Sequence, residues 1–481
     1  MPIEAPRSVY AIGSGIICPY QSQPDKLITS PKDLESVVFD PDGSLVGELP
    51  FERRITSQPS DGGVIGNFFS GEYSPQKRPN HRDVFASLAP YDNWPLPKRL
   101  YTFGETLAVV TTLRALASAG ISPDKFDGSG AWIPKTGNNG KSLRVAVGFT
   151  NSTGPWEIVV EGVHDDVTRK NSARLARSVM PGYVNSAIRE TIHAGGHSIL
   201  HHASCSTGLF NLDDAYRRLR HGEADLAIVG AFEIAATPLW LYAFNHLGAF
   251  ADYQSYKDRP WEAAKPFSRN AESLAFGEGS VAIILATGEA IQTLGLAEKN
   301  ILAEITGSNT GQDGKRLDPP DEPHELVRVQ IDALNMAGIP ASKLDCVINH
   351  ATGTQRGDLH DWKASRTVFQ LPQRKWGDPE DLYHDGYPDF TPPKSKTTHT
   401  YSPSGLFSLL TLFSAIQRQE IPGARSHITS PHGLVFNGVF GPSKRRSVEH
   451  GIVCSYGMDS TAAAVIVHNP SNVTIFRRDS P

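Results

Sequence analysis

Residues 113–127 read LRALASAGISPDKFD and residues 331–345 read IDALNMAGIPASKLD, and the two stretches align without a gap. Seven of the fifteen positions are identical, and the copies start close to half of the 481-residue chain apart. Each copy has the pattern of a helix end, a glycine cap, a loop and the entry to a strand. The repeat predicts two similar halves with a ligand site between them. Chance similarity between two helix ends, in which Ala and Leu match easily, is the alternative.

Short apolar runs rich in β-branched residues recur along the chain. Their length fits strands, and several are apolar throughout, which is typical of sheets covered on both faces. The runs are residues 145–149, 226–229, 281–285, 347–348, 452–453 and 462–467. Three helices are predicted between these runs. The first has an apolar face of Leu209, Leu212, Tyr216 and Leu219, and the second has one of Val327, Ile331 and Leu334 and ends at Gly338. The third is the apolar stretch at residues 406–416. The alternation predicts an α/β fold with buried sheets.

Four segments are dense in Pro, Gly, Asp or Ser and are predicted to be irregular, namely residues 19–71, 74–99, 311–323 and 371–393. Long loops in a compact enzyme are often functional. The last of the four leads directly into a candidate catalytic segment, which favours a role near the site.

The composition excludes several classes of protein. Lys and Arg number 46 against 51 Asp and Glu, so the net charge is −5 and nucleic acid is not expected as a partner. The sequence has no run of about 18 apolar residues, which argues against a membrane span, and its first residues lack the pattern of a secretory signal. The 4 cysteines include no CxxC pair and match neither a disulfide scaffold nor a zinc site. We therefore expect a cytoplasmic protein with reduced thiols.

Cys205 is the first candidate for chemistry. A strand-like approach at residues 198–200 leads to Ser204-Cys205-Ser206, and the first of the predicted helices follows. This order puts the cysteine at a helix N-terminus, where unpaired N–H groups and the helix dipole lower the pKa of a thiol and can hold an oxyanion. On this pattern alone, a buried and inert cysteine is the alternative.

Three further segments carry groups of a suitable chemical type. His350 follows a short apolar run and precedes a Gly- and Thr-rich turn, a position where α/β folds hold catalytic groups. Lys394 and His399 precede an apolar helix, and residues 454–468 form a turn that leads into a last strand. Local pattern alone also allows a hydrogen-bonded core histidine, a solvated basic loop and a plain turn.

No cofactor or metal is expected. His193, His197 and His201 are spaced by four residues, but Gly195-Gly196 interrupt them and a strand follows, so one helical face of ligands is not expected. The sequence contains no GxxxxGK[ST] motif and no convincing GxGxxG motif, so nucleotide binding has no support.

Taken together and in this order, the segments resemble the β-ketoacyl synthases of the thiolase superfamily, in the elongating Cys-His-His branch that acts on acyl-carrier-protein-bound chains. The resemblance rests on SCSTG at 204–208, NHATGTQRGD at 349–358, KSKTTHTYSPSG at 394–405 and SYGMDSTA at 455–462. A Pro-Phe pair at 266–267 and Gly-Glu-Gly at 277–279 also match. The likeness extends over nearly the whole chain.

The resemblance implies a thiolase-like five-layered αβαβα sandwich made of two similar halves. We expect an N-terminal half at residues 1–296 with the nucleophile Cys205, and a C-terminal half at residues 297–481 with both histidines and the lysine. The implied reaction is the decarboxylative Claisen condensation of an acyl group on the cysteine with a malonyl-type thioester of acyl carrier protein or CoA. The family also implies a homodimer and no cofactor or metal.

The resemblance assigns roles to individual residues. His350 and His399 would stabilise the enolate, Lys394 would orient its neighbours, and the N–H groups of Cys205 and Met458 would hold the oxyanion. The loop that would hold the oxyanion and line the acyl pocket comprises Tyr456, Gly457 and Met458. The supporting positions are Thr352, Thr354, Asp358 and Glu278.

Several glycines of the family's motifs are replaced in this chain. Ala351 and Thr398 stand in the two histidine motifs, and Met458-Asp459-Ser460 stand where the family's C-terminal loop has a second phenylalanine and a glycine pair. Because glycine lets a loop move, its loss predicts a stiffer loop. The catalytic set is retained while its surroundings are changed, which favours a specialised pathway, such as polyketide biosynthesis, over primary fatty-acid synthesis.

Three other activities stay open. An acyltransferase would use the same cysteine and histidines to pass an acyl group to an alcohol or amine. A catalytically altered partner subunit would shape the pocket of another synthase, although such subunits usually lack the cysteine. A thiolase would use a second cysteine as its base, and Cys454 beside the C-terminal loop is the candidate.

Overall fold

A computed structural model gives the structure of the chain. It describes residues 6–19, 27–28, 30–41, 103–122, 133, 142–152, 180, 182–234, 244, 249, 256, 259–268, 270–271, 274–275, 277–314, 322–371, 386–425 and 437–472. The predicted irregular segment 74–99 lies outside these residues, as does most of the segment 371–393.

The elements of the described residues alternate between strands and helices. The strands are β1 (Val9–Pro19), β2 (Leu27–Ile28), β3 (Val145–Thr150), β4 (Gly196–Ile199), β5 (Leu226–Glu233), β6 (Gly279–Thr287), β7 (Ala303–Gln312), β8 (Cys346–Ile348), β9 (Asp389–Thr391), β10 (Glu420–Ile421), β11 (Lys444–Arg445), β12 (His450–Tyr456) and β13 (Thr461–His468). The α-helices are α1 (Pro31–Val38), α2 (Phe103–Ser118), α3 (Tyr183–Ile192), α4 (Thr207–Arg220), α5 (Gly288–Thr293), α6 (His324–Ala337), α7 (Gln355–Phe369), α8 (Lys394–Thr397) and α9 (Ser404–Arg418).

The two halves of the chain build the main sheet in the same order. The sheet runs β4-β3-β5-β6-β1-β7-β13-β12-β8-β9, with β2 beside β1. When β2, β10 and β11 are not counted, each half has five strands. Starting from the middle of the sheet, these five strands follow the order first, fifth, fourth, second and third in both halves. The directions agree as well, because the first, fifth and fourth strands pair antiparallel and the fourth, second and third pair parallel in both halves. β1 and β7 pair antiparallel and join the halves. The prediction of two similar halves is confirmed.

The chain forms five layers around three apolar cores. α4 and α9 lie in the middle and share one core with both parts of the sheet. α2 and α3 cover the outer face of the N-terminal part, and α6 and α7 cover that of the C-terminal part. In β5, Ala227 and Val229 face the middle core while Leu226 and Ile228 face the outer core. A strand covered on both faces must be apolar throughout, which explains the continuous runs in the sequence.

Each predicted apolar run lies within a strand, but one of the three residues predicted for the buried face of α6 is exposed. Ile331 is 42% exposed, whereas Leu326, Val329 and Ala333 are buried. Leu334 belongs to both stripes of the helix, so spacing alone could not choose between them.

A helix also occurs where the sequence predicted irregular structure. Ser30 caps α1 with a full capping box, in which its side chain accepts from the N–H of Asp33 and the Asp33 carboxylate accepts from the N–H of Ser30. Leu34, Val37 and Val38 bury the apolar side of the helix. The serine followed three residues later by an acid was a recognisable helix start, so the prediction for residues 19–71 is wrong over α1.

Two further expectations concern the whole chain. The boundary predicted between residues 296 and 297 falls between α5 and β7, and it stays a prediction. Among the helices that the structure describes, none has both the length and the apolar character needed to cross a bilayer.

Candidate active site

The two middle helices start close together. The 3₁₀ turn Ser204–Ser206 leads into α4, and a short segment after α8 leads into α9. A β-carbon on Gly208 would lie 2.7 Å from Cγ of Leu406, and one on Gly405 would lie 2.6 Å from Cγ of Leu209. Glycine at both positions therefore permits the close approach of the two helix starts. As a result, the cysteine motif and the second histidine motif meet at two buried helix N-termini.

Cys205, His350 and His399 form one buried group. The sulfur of Cys205 lies 3.0 Å from Nε2 of His399, although the two residues are 194 positions apart in the chain. A ring nitrogen of each histidine and the sulfur all lie within 4.8 Å of one another. The two imidazole rings are nearly perpendicular, with their centroids 5.1 Å apart. The fold thus brings together the three side chains that the motifs single out.

Ser455 and Tyr456 hold the ring of His350. Nδ1 of His350 lies 3.2 Å from Oγ of Ser455, and this hydroxyl also lies 3.2 Å from the carbonyl oxygen of Cys205. The Tyr456 ring packs on the histidine with a centroid distance of 4.4 Å. When the serine proton is donated to Nδ1, the histidine carries its own proton on Nε2.

The thiol of Cys205 is protonated in the resting site. Burial raises the pKa of Cys205 to about 12, and the negative charges of Asp459 and Glu233 act in the same direction. The ammonium of Lys394 and a hydrogen bond from the backbone N–H of Met458 lower this pKa but do not offset the burial. The prediction of a lowered thiol pKa is therefore wrong, because the loss of water outweighs the effect of the helix N-terminus.

Both histidines are neutral at neutral pH. Burial lowers the pKa of His350 and of His399 well below the usual range, and the positive charge of Lys394 lowers both further. Nδ1 of His399 has no hydrogen-bond partner among the described residues. Its ring can therefore accept the thiol proton on Nε2 or carry a proton there.

Lys394 lies under the loop that carries His350. It is the first residue of the one-turn helix α8, which the sequence did not predict, and its ammonium donates to the backbone carbonyl of His350. Burial lowers the pKa of Lys394 to about 8, although Asp361 raises it. The ammonium thus braces the histidine loop from below.

Two buried carboxyl groups on α7 hold the same loop. Asp358 accepts from the N–H of Phe267 at 2.6 Å and from the N–H of Gly353 at 3.1 Å. Asp361 accepts from the N–H of Ala351. Burial raises the pKa of Asp358 to about 8 and that of Asp361 to about 7, despite these donors. Asp358, a predicted supporting residue, therefore acts on the backbone beside His350.

The C-terminal loop (residues 456–461) closes over the cysteine. The N–H of Met458 bonds to the sulfur, which makes it a suitable donor for an oxyanion. The N–H of Gly457 donates to the carbonyl of Thr461 at 2.7 Å, and the hydroxyl of Thr461 lies 2.7 Å from a carboxylate oxygen of Asp459. These bonds close the loop into a tight turn.

Two domain families match the chain. The family described as "Beta-ketoacyl synthase, N-terminal domain" matches residues 101–290, and the family described as "Beta-ketoacyl synthase, C-terminal domain" matches residues 302–427. Together they cover more than half of the chain.

The chain belongs to the β-ketoacyl synthase family.

Curated relatives agree with this family. The 3-oxoacyl-[acyl-carrier-protein] synthase 2 of Mycobacterium tuberculosis is 27% identical over 289 residues, which are 60% of this chain and 64% of that protein. The mitochondrial 3-oxoacyl-[acyl-carrier-protein] synthase of Arabidopsis thaliana is 26% identical over 271 residues, which are 55% of this chain and 54% of that protein. The chain spans less than two thirds of the length of these relatives.

Solved ketosynthase structures have the same fold. A type II PKS acyl-carrier protein in complex with its ketosynthase bound to the hexaketide gives a TM-score of 0.70 at 16% identity, and the match covers 96% of this chain and 99% of that chain. The ishigamide ketosynthase/chain length factor gives 0.69 at 18% identity, covering 97% and 100%. These likenesses confirm the predicted thiolase-like fold.

Three glycine positions of the β-ketoacyl synthase motifs hold other residues in a left-handed backbone. Ala351, Thr398 and Ser460 have φ angles of 39°, 62° and 61°. Thr398 is the most strained, because its ψ of −179° completes a combination that is populated almost only by glycine. Whether the C-terminal loop is stiffer than in relatives with glycine stays a prediction.

A short backbone ladder holds His399 beside the Gly-Glu-Gly segment. The N–H of His399 donates to the carbonyl of Ala275 at 2.8 Å, and the N–H of Gly277 donates to the carbonyl of His399 at 3.0 Å. A β-carbon on Gly277 would lie 1.9 Å from Oγ1 of Thr398, so glycine is required opposite this threonine. Glu278, a predicted supporting residue, is half-buried and follows Gly277 in the chain.

The two threonines of the first histidine motif form the start of α7. Their hydroxyls, on Thr352 and Thr354, lie 3.0 Å apart. Thr354 caps α7 by accepting from the N–H of Gly357 at 3.2 Å. Thr354 thus stabilises the start of α7, the helix that carries Asp358 and Asp361.

Sequence reasoning missed Ser455 and Asp361. Ser455 stands in the C-terminal motif, but only the pairing of β12 with its neighbours brings it to His350. Asp361 lies three residues after Asp358 on α7, and this spacing puts both on one helix face. That spacing was a signal from which Asp361 could have been predicted.

The donor set of the site could also hold a metal ion, because its sulfur and two ring nitrogens converge. The ammonium of Lys394 disfavours a second positive charge there, and the expectation of no metal and no cofactor stays a prediction. Cys454 packs in the outer C-terminal core, while the next residue, Ser455, faces Cys205. Successive strand residues face opposite sides, so Cys454 points away from the site and does not support a thiolase.

Proposed function

We propose that the chain catalyses the decarboxylative Claisen condensation of an acyl group, held on Cys205, with a malonyl-type thioester. The single observation that carries the proposal is the contact of 3.0 Å between the sulfur of Cys205 and Nε2 of His399, with His350 completing the buried group. A thiol beside one neutral imidazole supports thioester exchange, and a second neutral imidazole supports an enolate.

Acylation starts from the neutral thiol. Nε2 of His399 takes the thiol proton as the sulfur attacks the carbonyl carbon of the incoming thioester. The N–H groups of Cys205 and Met458 stabilise the negative oxygen of the tetrahedral intermediate. The carrier thiolate then leaves and is protonated. The proton it receives comes, through solvent, from Nδ1 of His399, which has no hydrogen-bond partner among the described residues, so the neutral imidazole of the acyl-enzyme keeps its proton on Nε2.

Condensation needs both imidazoles as donors. The carbon–carbon bond to the malonyl carboxylate breaks, carbon dioxide leaves, and the electron pair moves to the thioester oxygen, which accepts hydrogen bonds from Nε2 of His350 and His399. His350 holds its proton on Nε2 when Nδ1 accepts from the hydroxyl of Ser455, whose single proton then turns away from the carbonyl of Cys205. The enolate carbon then bonds to the acyl carbonyl carbon, and the Cys205 thiolate leaves. Lys394 holds the loop of His350 in position through the backbone carbonyl.

The carrier and pathway are also part of the proposal. Relatives are named for acyl-carrier-protein substrates, and one similar structure is a type II PKS carrier protein in complex with its ketosynthase. These names support a carrier-protein thioester as substrate, with a CoA thioester as the alternative. The changed loop residues Met458-Asp459-Ser460 favour a specialised fatty-acid or polyketide pathway.

Two other functions make different predictions. An acyltransferase would load Cys205 but release no carbon dioxide. A catalytically altered partner subunit would do neither, and the convergence of all three reactive side chains in this chain disfavours it.

The decisive experiment measures acyl loading and carbon dioxide release. Intact-protein mass spectrometry after incubation with an acyl thioester, in the presence of a chelator, should show one acyl adduct on the wild-type protein and none on Cys205→Ala. Cys454→Ala is the matched control and should still load, because Cys454 faces the outer core. Release of labelled carbon dioxide from a malonyl thioester should occur with the wild-type protein, and formation of the β-ketoacyl product should require Cys205.

The outcomes separate the candidate functions. An adduct that persists in Cys205→Ala contradicts the nucleophile. Loading of Cys205 without malonyl-dependent carbon dioxide release contradicts the ketosynthase and favours the acyltransferase.

The homodimer is proposed at the edge strand β4. Within the described residues β4 pairs with β3 on one side, its first three residues are exposed, and the neighbouring Leu200 is 41% exposed. An exposed strand edge beside apolar surface favours pairing with a second copy. Sedimentation equilibrium would measure the assembly state. A cytoplasmic location stays a prediction from the sequence.

A further inference from the structure

Lys396 is a charged residue in an unusual place. It lies on α8, two residues after Lys394, and its side chain is 1% exposed. Its Nζ donates to the backbone carbonyl of Val38 at 2.7 Å. Val38 is the last residue of α1, so this bond joins segments that are 358 positions apart in the chain.

The C-terminal end of α1 is a favourable partner for an ammonium group. The last carbonyls of a helix have no intrahelical donors and carry the negative end of the helix dipole. α1 has no basic residue in its own last turn. Lys396 therefore supplies the cation from another part of the chain. A buried ammonium is costly unless such a partner is present, so the contact between Lys396 and α1 is strongly specified.

α1 is anchored independently of Lys396. Its apolar side chains lie in the middle core. Glu35 accepts from the hydroxyl of Ser414 on α9 at 3.1 Å and lies 3.9 Å from the guanidinium of Arg418. The same guanidinium lies over the ring of Phe39, 4.3 Å from its centroid. α1 thus provides a fixed support against which another segment can be held.

α8, in contrast, has little stability of its own. A helix of a single turn is not stable without tertiary contacts. Three successive side chains tie it to three different segments. Lys394 donates to the carbonyl of His350, Ser395 accepts from the N–H of Arg425 at 3.0 Å, and Lys396 donates to α1.

We propose that Lys396 is a positioning residue for the condensation step: it holds α8 against the C-terminal end of α1, and so fixes Lys394 beneath the carbonyl of His350. This inference rests on the proposed function and deepens it. The described hydrogen bond of the Lys396 ammonium goes to Val38, which lies outside the group formed by Cys205 and the two histidines. Its effect reaches the site through the backbone of α8 and the ammonium of Lys394.

The test compares the two half-reactions in Lys396→Met, which keeps the length of the side chain and removes the ammonium. Acyl loading of Cys205 depends on His399 and the C-terminal loop, so we expect its rate to stay within about threefold of wild type. Carbon dioxide release depends on His350, so we expect its kcat to fall at least tenfold with little change in KM.

Lys444→Met is the matched control. It makes the same chemical change in the same half of the chain and removes the ion pair, at 2.8 Å, with Asp389 on β9. We expect it to lower the melting temperature and to leave both half-reactions unchanged. If Lys396→Met does not fold, Arg418→Met replaces it. This variant loosens α1 from α9. The kcat of carbon dioxide release should then fall about two- to fivefold, while the rate of acyl loading stays nearly unchanged.

The outcomes distinguish a failure of the positioning role of Lys396 from a failure of the proposed condensation activity. If both half-reactions of Lys396→Met fall by the same factor, or neither changes, Lys396 has only a structural role and the inference is wrong. If the wild-type protein neither loads an acyl group nor releases carbon dioxide, the proposed function itself is wrong.

Discussion

The two halves of the molecule share a strand order and a buried middle helix, yet they supply different chemistry. The N-terminal half contributes Cys205 just before α4. The C-terminal half contributes His350 after β8, and Lys394 and His399 before α9. A repeated scaffold thus offers equivalent sites at strand ends and helix N-termini, where backbone groups are free for chemistry. The residues at those sites divide the work between a nucleophile and the groups that activate it.

The largest expected effect tests this division within the C-terminal half. His350→Ala should load an acyl group on Cys205 at nearly the wild-type rate but lose carbon dioxide release by about 10²–10⁴-fold, since the enolate loses one donor. His399→Ala should lose both half-reactions, because Nε2 of His399 contacts the thiol. Single-turnover loading, followed by mass spectrometry, and release of labelled carbon dioxide measure the two steps.

The result that would contradict the division is equal behaviour of the two variants. If His350→Ala and His399→Ala lose loading and decarboxylation in the same ratio, the two imidazoles do not have separate roles. Far-ultraviolet circular dichroism of both variants is the control for folding.

A smaller effect tests the equivalence of the halves as scaffolds. Gly208→Ala should lower the free energy of unfolding by roughly 1–3 kcal/mol, because the new methyl group would overlap Leu406 at the helix crossing. Gly405→Ala should have a similar effect, since its methyl group would overlap Leu209 in the other half. Denaturant unfolding followed by fluorescence measures both.

Gly314→Ala is the matched control for these variants, because no atom of the described residues, its chain neighbours aside, lies within 4 Å of a β-carbon at that position. It should leave the free energy of unfolding nearly unchanged. If Gly208→Ala is as stable as Gly314→Ala, the close approach of α4 and α9 is not a constraint on the fold.

The smallest expected effect concerns the changed surroundings of the C-terminal site. Thr398→Gly should raise the free energy of unfolding by about 1 kcal/mol. Relief of the strained backbone is worth about 1–3 kcal/mol, while glycine costs about 0.5–1 kcal/mol through the unfolded chain. Thermal unfolding at one pH measures the difference.

Thr397→Gly is the neighbouring control. Thr397 lies in the helical turn of α8, so glycine there relieves no strain and should lower stability. A drop in the melting temperature of Thr398→Gly as large as that of Thr397→Gly would mean that the backbone of Thr398 stores no strain.

Much of the fold could be predicted from particular stretches of sequence. The apolar runs at 226–229 and 281–285 lie within β5 and β6, and the spacing from Leu209 to Leu219 gave the buried face of α4. Such patterns are local, because a strand or helix that is covered by other layers must be apolar on the covered faces. The face of α6 could not be predicted in this way, since it depends on which neighbours the helix packs against.

The identity of the site residues could also be predicted from the sequence, but their protonation could not. The motifs around Cys205, His350, Lys394 and His399 named the groups that the fold brings together. The same motifs predicted a thiol with a lowered pKa, whereas burial raises the pKa of Cys205 to about 12. Burial depends on every layer of the protein and has no local signature.

The alternation of strands and helices, the repeat of the two halves and the order of the reactive motifs could all be predicted, because each apolar run, repeat copy and motif is a short continuous stretch of the chain. Which groups touch depends on the packing of the whole chain. This packing brought Ser455 to His350, and Lys396 to the end of α1. It also decided the protonation of the thiol and the imidazoles. The physical reason is that exclusion of water and contacts between distant segments exist only after the whole chain has packed.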